Sequence, residues 1–330
     1  MSQLRIALFA IAIAPAAAYS ADPALLSLVM PDAKVIAGAN VAQARTSAFG
    51  QYVLAHMQPE DASFKSFVAA TGFDPRRDIA EIVMASNWES NTPESRWLIT
   101  ARGSFNPAKI AASVQANNGT IVHFQGRDIL SLGKIPNQGG TETDVAFLDS
   151  SYAVMGDLAS VQAAIQRRQS KAAATSSLIA KVGGLSTKND FWFITLVPLS
   201  EFSYAMPDPN LQGAMKGNLM QAITQASGGI RFGDPVNINA EAITRSDKDA
   251  SALEDVVRFL ANLLQSNRDS NQTAGQVASA LDNLDIKTNG NIMTMSLAMP
   301  EKQLEQILNG ARQELRQARP KAPVADPGHR

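Results

Sequence analysis

The chain has 330 residues, 45% of them hydrophobic and 18% charged, with 29 basic against 30 acidic side chains and no cysteine. That balance excludes the basic footprint of a nucleic-acid binder or of a protein held on an anionic membrane surface. The missing cysteine excludes disulfides, thiol catalysis, thiolate metal sites and a cysteine-linked lipid anchor.

Residues 1–20 have the anatomy of a secretory signal peptide. Arg5 precedes an apolar run from Ile6 to Ala14, Pro15 breaks it, and small residues lead to Ala18-Tyr19-Ser20. The run is short of the ~20 residues needed to span a bilayer. A mature chain starting near Ala21, periplasmic or extracellular and without a stable membrane span, is expected. Roughly 310 residues then remain, more than one core usually organises, so two domains are expected.

Lys34 to Val41 reads as a strand leaving the Met30-Pro31-Asp32 turn. Phe49, Val53, Leu54 and Met57 recur at helical spacing up to Gln58-Pro59, and a second short helix carries Phe64, Phe67 and Val68 before Gly72. Ile79 to Ser86 and Trp97 to Ala101 read as paired strands around a polar segment in which Trp88 is unexpected. Asn106-Pro107 combines an N-cap acceptor with a proline in the first turn and predicts a helix to Asn117-Asn118-Gly119. Thr120 to Phe124 and Arg127 to Leu132 flank Gln125-Gly126 as a hairpin. Asp144 to Leu148 and Tyr152 to Met155 add two strands. A helix with Leu158, Val161 and Ile165 ends at Arg167-Arg168.

Residues 170–177 are small and polar and form a candidate linker. Beyond it the order begins again. A strand at Phe191 to Val197 precedes a helix with Leu211, Met215, Leu219 and Ile223. Strands follow at Gly229 to Phe232 and Val236 to Thr244. Ser251 with Glu254 reads as a capping box, opening a helix with Leu253, Val256, Val257, Leu260 and Leu264 on one stripe. Leu284 to Lys287 and Ile292 to Leu297 form a hairpin around Asn289-Gly290, and Pro300-Glu301 starts a last helix with Leu304, Ile307, Leu308 and Leu315. The tail from residue 318 is too polar and proline-rich to pack.

The expected fold is therefore α+β with two similar lobes, residues 21–169 and 178–317, each an antiparallel sheet covered by helices on one face. The repeated element order makes an internal duplication an expectation.

Asp32-Ala33-Lys34-Val35-Ile36-Ala37-Gly38, followed by Gly72-Phe73-Asp74-Pro75-Arg76-Arg77-Asp78-Ile79-Ala80-Glu81-Ile82, resembles a group of uncharacterised exported bacterial proteins. The resemblance covers about the first third of the chain and implies no activity. The local physics accounts for the phrase: Asp74-Pro75 starts a turn and Asp78 accepts nearby backbone N–H groups.

Catalytic sets are incomplete. His56, His123 and His329 stand in no spaced pair with another ligand, so no metal site is expected. Ser131-Leu132-Gly133-Lys134 matches Ser-x-x-Lys but ends a strand instead of opening a helix. Ser131, Lys134 and His123 are the assembly on which an envelope hydrolase would depend. Asp247, Asp249, Glu254 and Asp255 lack the glycine and twelfth-position acid of a calcium loop and read as helix-start acids. No phosphate loop opens a helix, and no cofactor site is expected.

Met293, Met295, Leu297 and Met299 alternate along one strand and share a face. That face is either packed under helices or lines the pocket of an apolar-ligand or lipid carrier. The leading reading is an exported, non-catalytic protein of the bacterial envelope. It acts by binding a protein partner or an apolar ligand, with the cleft between the lobes as its site. A chaperone-like envelope component, marked by a large exposed apolar patch, is the remaining alternative.

Overall fold

The computed structural model describes residues 21–56, 62–89, 95–134, 142–170, 177–205 and 217–318. The expected signal peptide and residues 319–330 of the expected tail lie outside the described residues, as do residues 171–176 of the expected linker.

Twelve strands form one antiparallel sheet. They are β1 (Val35–Ala39), β2 (Ile79–Ser86), β3 (Trp97–Gly103), β4 (Thr120–Phe124), β5 (Arg127–Lys134), β6 (Glu142–Phe147), β7 (Tyr152–Gly156), β8 (Phe191–Thr195), β9 (Ile223–Arg231), β10 (Val236–Thr244), β11 (Asp285–Asn289) and β12 (Ile292–Met299). Their spatial order is β11-β12-β10-β9-β8-β1-β2-β3-β7-β6-β5-β4. The helices are α1 (Pro23–Leu26), α2 (Val41–Ala44), α3 (Ala48–His56), α4 (Ala62–Thr71), α5 (Pro75–Asp78), α6 (Pro107–Ala116), α7 (Leu158–Ser170) and α8 (Ser177–Lys188) in the first part of the chain. They continue as α9 (Asn218–Gln221), α10 (Asp247–Ser266), α11 (Gln272–Leu281) and α12 (Glu301–Ala318), and a 3-10 helix spans Leu199–Ala205.

The halves are not separated by a cleft. β1 pairs with β8 from Val35↔Thr195 to Ala39↔Phe191, so hydrogen bonds run unbroken from one half into the other. Gly38 lies on this seam, where a Cβ would stand 2.3 Å from the Trp192 ring.

Helices lie on both faces of the sheet, not on one. On the first face α1, α7 and α8 cover the main core, where Leu25, Leu28, Ile36, Val83, Leu98, Ile129, Ile165 and Ile194 are fully or almost fully buried. On the second face α4, α5 and α6 stand over the first half, while α3, α10, α11 and α12 stand over the second, the latter around Val236, Leu253, Ala280, Met293, Met299 and Leu304. The strand alternation of side chains makes this possible, because even and odd positions of one strand serve different cores.

Local signals explain several boundaries. Asn106 Oδ1 accepts from the Lys109 N–H at 3.1 Å, opening α6 at Pro107 as the sequence predicts. Gln125 and Gly126 both have positive φ, 47° and 75°, the requirement of a tight two-residue hairpin turn. Asp78 accepts from the Asp74 N–H at 2.8 Å, closing the Asp74-Pro75 turn.

Other expectations give way. α10 starts at Asp247, capped by Ser246, whose hydroxyl accepts from the Asp249 N–H at 3.2 Å, so Ser251 is interior to it. Ile223 opens a nine-residue strand rather than ending a helix, because its small successors Ala226, Ser227, Gly228 and Gly229 let β8 and β10 approach on either side. Leu211 and Met215 lie outside the described residues. α1, α8 and α11 are not among the sequence-predicted helices.

Candidate functional site

The floor of the principal cavity is built by strand register on the second face. Ile82, Ala101, Ala153 and Phe147 form one cross-strand row, and Met84, Ile99, Met155, Val145 and Leu130 form the next. Alanine opposite alanine, at Ala101↔Ala153, leaves a hollow in the middle of the sheet between larger neighbours. α4, the Phe73-Asp74-Pro75 turn and α6 roof it with Phe67, Phe73, Phe105, Ile110 and Val114. The phenylalanines brace one another: Phe67–Phe73 at 6.3 Å, Phe73–Phe105 at 5.5 Å and Phe105–Phe147 at 5.4 Å between ring centres.

Two ten-residue helices do not fill this space. A cavity of about 350 Å³ remains, with only hydrophobic side chains on its walls. That volume lies within the ~300–1,000 Å³ of small-molecule sites. Leu132, 48% exposed, stands at its mouth. Such a wall removes apolar surface from water and offers no proton donor, nucleophile or charge, so its chemistry is binding.

Ser131 and His123 of the hydrolase assembly are not brought together. His123 lies across from Asp128 on the face of Leu130, with Nδ1 2.5 Å from Asp128 Oδ1, and is 81% exposed at the side chain. Ser131, three residues beyond Asp128, turns to the opposite face, where it bonds the buried Asp144. The side chain of Lys134 lies outside the described residues. Burial pushes the Asp144 carboxyl upward against the opposing bond from Ser131, with Glu142 and Asp157 adding repulsion. Among the described residues no group of histidines and carboxylates could hold a metal ion.

Met293 and Met299 are each 4% exposed and belong to two different packed clusters, so the four-residue face is not a single pocket wall. Met295 and Leu297, between them, border a smaller apolar cavity of about 270 Å³ beneath Leu260, Leu264 and Leu281. The α10 stripe is mostly outside the core: Leu253 is buried, whereas Val256, Leu260 and Leu264 are 38%, 37% and 49% exposed. Trp88, at φ 35°, packs on Phe202 with ring centres 4.7 Å apart.

Sequence reasoning missed the cavity because its walls come from six separate segments, each of which reads as ordinary core. The signals that could have found it are the two alanines, Ala101 and Ala153, in strands that also carry large side chains. No helix among the described residues is long and apolar enough to cross a membrane.

No protein-family model matches the chain, and no curated protein is detectably similar to it. Among solved structures, crystal form I of the treponemal protein TP0453 is similar over 88% of this chain and 99% of that one, at 10% identity and a TM-score of 0.46. A likeness at that distance says nothing about what this chain binds.

Proposed function

We propose that this chain is an exported, non-catalytic binding protein of the bacterial envelope whose ligand is apolar and enters the cavity between the sheet and the α4–α6 roof. The carrying observation is that cavity: about 350 Å³, walled by hydrophobic side chains and open beside Leu132. The signal-peptide pattern of residues 1–20 supports export. The continuous β1–β8 pairing supports a site within the first half over one between the halves.

The halves also leave the seam in the same outward order, β1-β2-β3-β7 and β8-β9-β10-β12, each with a helical excursion after its third strand. This supports reading the chain as a doubled unit in which one copy carries the larger apolar cavity.

The test is fluorescence titration with N-phenyl-1-naphthylamine, followed by displacement with a saturated fatty acid. Wild type is expected to bind the dye saturably at one site and to release it. Ala153→Phe, which fills the hollow, is expected to lose binding by more than tenfold while keeping its circular dichroism. Equal binding by the folded variant would overturn the reading.

A further inference from the structure

A recess larger than the apolar cavity is on the other face and in the other half. α8 covers β8 and the near edge of β9, and beyond it no described element lies over the sheet on this face. The resulting groove has a volume of about 580 Å³ and a polar floor. Register sets that floor: Ser227, Glu241, Thr294 and Lys287 form one cross-strand row, and Gly229, Asn239, Ser296 and Asp285 the next. The wall is the exposed side of α8, with Lys181, Gly184 and Lys188.

A bare antiparallel face is ordinarily just solvated. Here one group departs from that. Gln225 is only 8% exposed, and its Oε1 accepts from Lys181 Nζ at 2.6 Å. Lysine can only donate, so this bond fixes which end of the amide faces it. The Nε2 end is then left buried without a hydrogen-bond partner among the described residues. An unsatisfied buried donor costs about 1–3 kcal/mol. Lys181 thus puts an ammonium at the edge of the groove, with the unsatisfied Gln225 amide donor buried directly behind it and within reach of a ligand once that side chain turns outward. Lys188 lies two turns further along α8, about 10 Å away by helical rise. Space in front of the wall is open, since a Cβ on Gly184 would meet nothing within 4 Å.

We propose that this groove binds a small polar molecule carrying one oxyanion, a carboxylate or a phosphate, held at Lys181 and the Gln225 amide. Glu241 on the opposite side of the floor disfavours a second anionic group and accepts from hydroxyl or amino groups on the rest of the ligand, whereas Asp285 is held by Lys287 Nζ at 2.5 Å and is largely neutralised. Lysine ammonium groups act as point charges without the fork geometry of arginine, so charge more than shape selects the anion. The site is independent of the apolar cavity, which opens on the opposite face.

Backbone and side-chain amide NMR of the full mature chain tests this, with inorganic phosphate, glucose 6-phosphate and glucose as probes at constant ionic strength against chloride. The expected result is a saturable shift of the Gln225 side-chain amide and of α8 signals with both phosphates, and none with glucose. Gln225→Glu, which gives Lys181 a carboxylate partner, is expected to weaken phosphate binding about tenfold, the loss of one charge-assisted bond. Lys188→Gln, at an exposed position, is expected to weaken glucose 6-phosphate more than inorganic phosphate. Shifts equal to those with chloride, equal binding by folded Gln225→Glu, or equal binding of glucose would each overturn the proposal. Dye binding in the apolar cavity is expected to be unchanged in both variants.

Discussion

One cross-strand row on the first face shows how differently the two halves use the same sheet. It runs Ser131, Asp144, Gly156, Leu98, Ala85, Ile36, Ile194, Ser227, Glu241, Thr294, Lys287. Its middle, from Leu98 to Ile194, is closed under α1, α7 and α8, and Leu98, Ile36 and Ile194 have no exposed surface. From Ser227 onward it is polar and forms the floor of an open groove. The sheet is continuous across this change, so backbone pairing does not set where a core ends. The switch from aliphatic to polar side chains between β8 and β9 does, and with it the reach of α8.

The largest expected effect lies under the closed part. Leu28→Ala, at a fully buried position just after α1, is expected to cost about 2–5 kcal/mol in chemical denaturation, because the surrounding helices cannot collapse onto the gap. A cost under that range would mean that α1 is a loosely held cover.

At the seam, Gly38→Ala drives a methyl into Trp192, which is 3% exposed. A loss of about 1–3 kcal/mol with a changed tryptophan fluorescence maximum is expected. An unchanged spectrum would show that β1 and β8 separate easily and that the halves behave as two units.

The pH dependence of the closed end is smaller and has a defined sign. Burial holds the Asp144 carboxyl above its ordinary value of 3.8, so the native state binds its proton more readily than the unfolded chain. Its cost is therefore felt at neutral pH and is relieved as pH falls through the raised native pKa. Asp144→Asn is expected to be more stable than wild type at neutral pH, with the advantage vanishing in acid; thermal melts across pH measure it. The opposite sign holds at the Asp74–Asp78 turn, where Arg76 lowers the Asp74 carboxyl and Arg77 that of Asp78. Their contribution is present above the ordinary carboxylate value and is lost as pH falls through the lowered native pKa.

The smallest effect belongs to the open floor. Thr294→Ala is expected to change stability by no more than about 0.5 kcal/mol in the same denaturation assay, as for a solvated surface position. A larger loss would show that the groove is covered in solution.

Much of the secondary structure was legible because its signals are local. Asn106-Pro107, Gln125-Gly126 and Asn289-Gly290 each specify a backbone geometry through the residues themselves, and each feature stands where the sequence puts it. The cover over the α10 stripe was not legible, because helical period reports which residues share a side, not whether another element covers them. Leu260 and Leu264 share a side with buried Leu253 yet are 37% and 49% exposed. The fate of Ser131 and His123 was equally opaque, since it turned on strand parity between Asp128 and Ser131.

The sequence by itself determined the turns, caps, most strands and the α+β class, because these depend on neighbours within a few residues. Only the tertiary structure decided that the halves share one sheet, that Ala101 faces Ala153 over a hollow, and that Gln225 meets Lys181 beside a polar face. Those outcomes depend on register and on pairings between residues more than forty positions apart, and on side-chain volumes summed across strands, which no local pattern encodes.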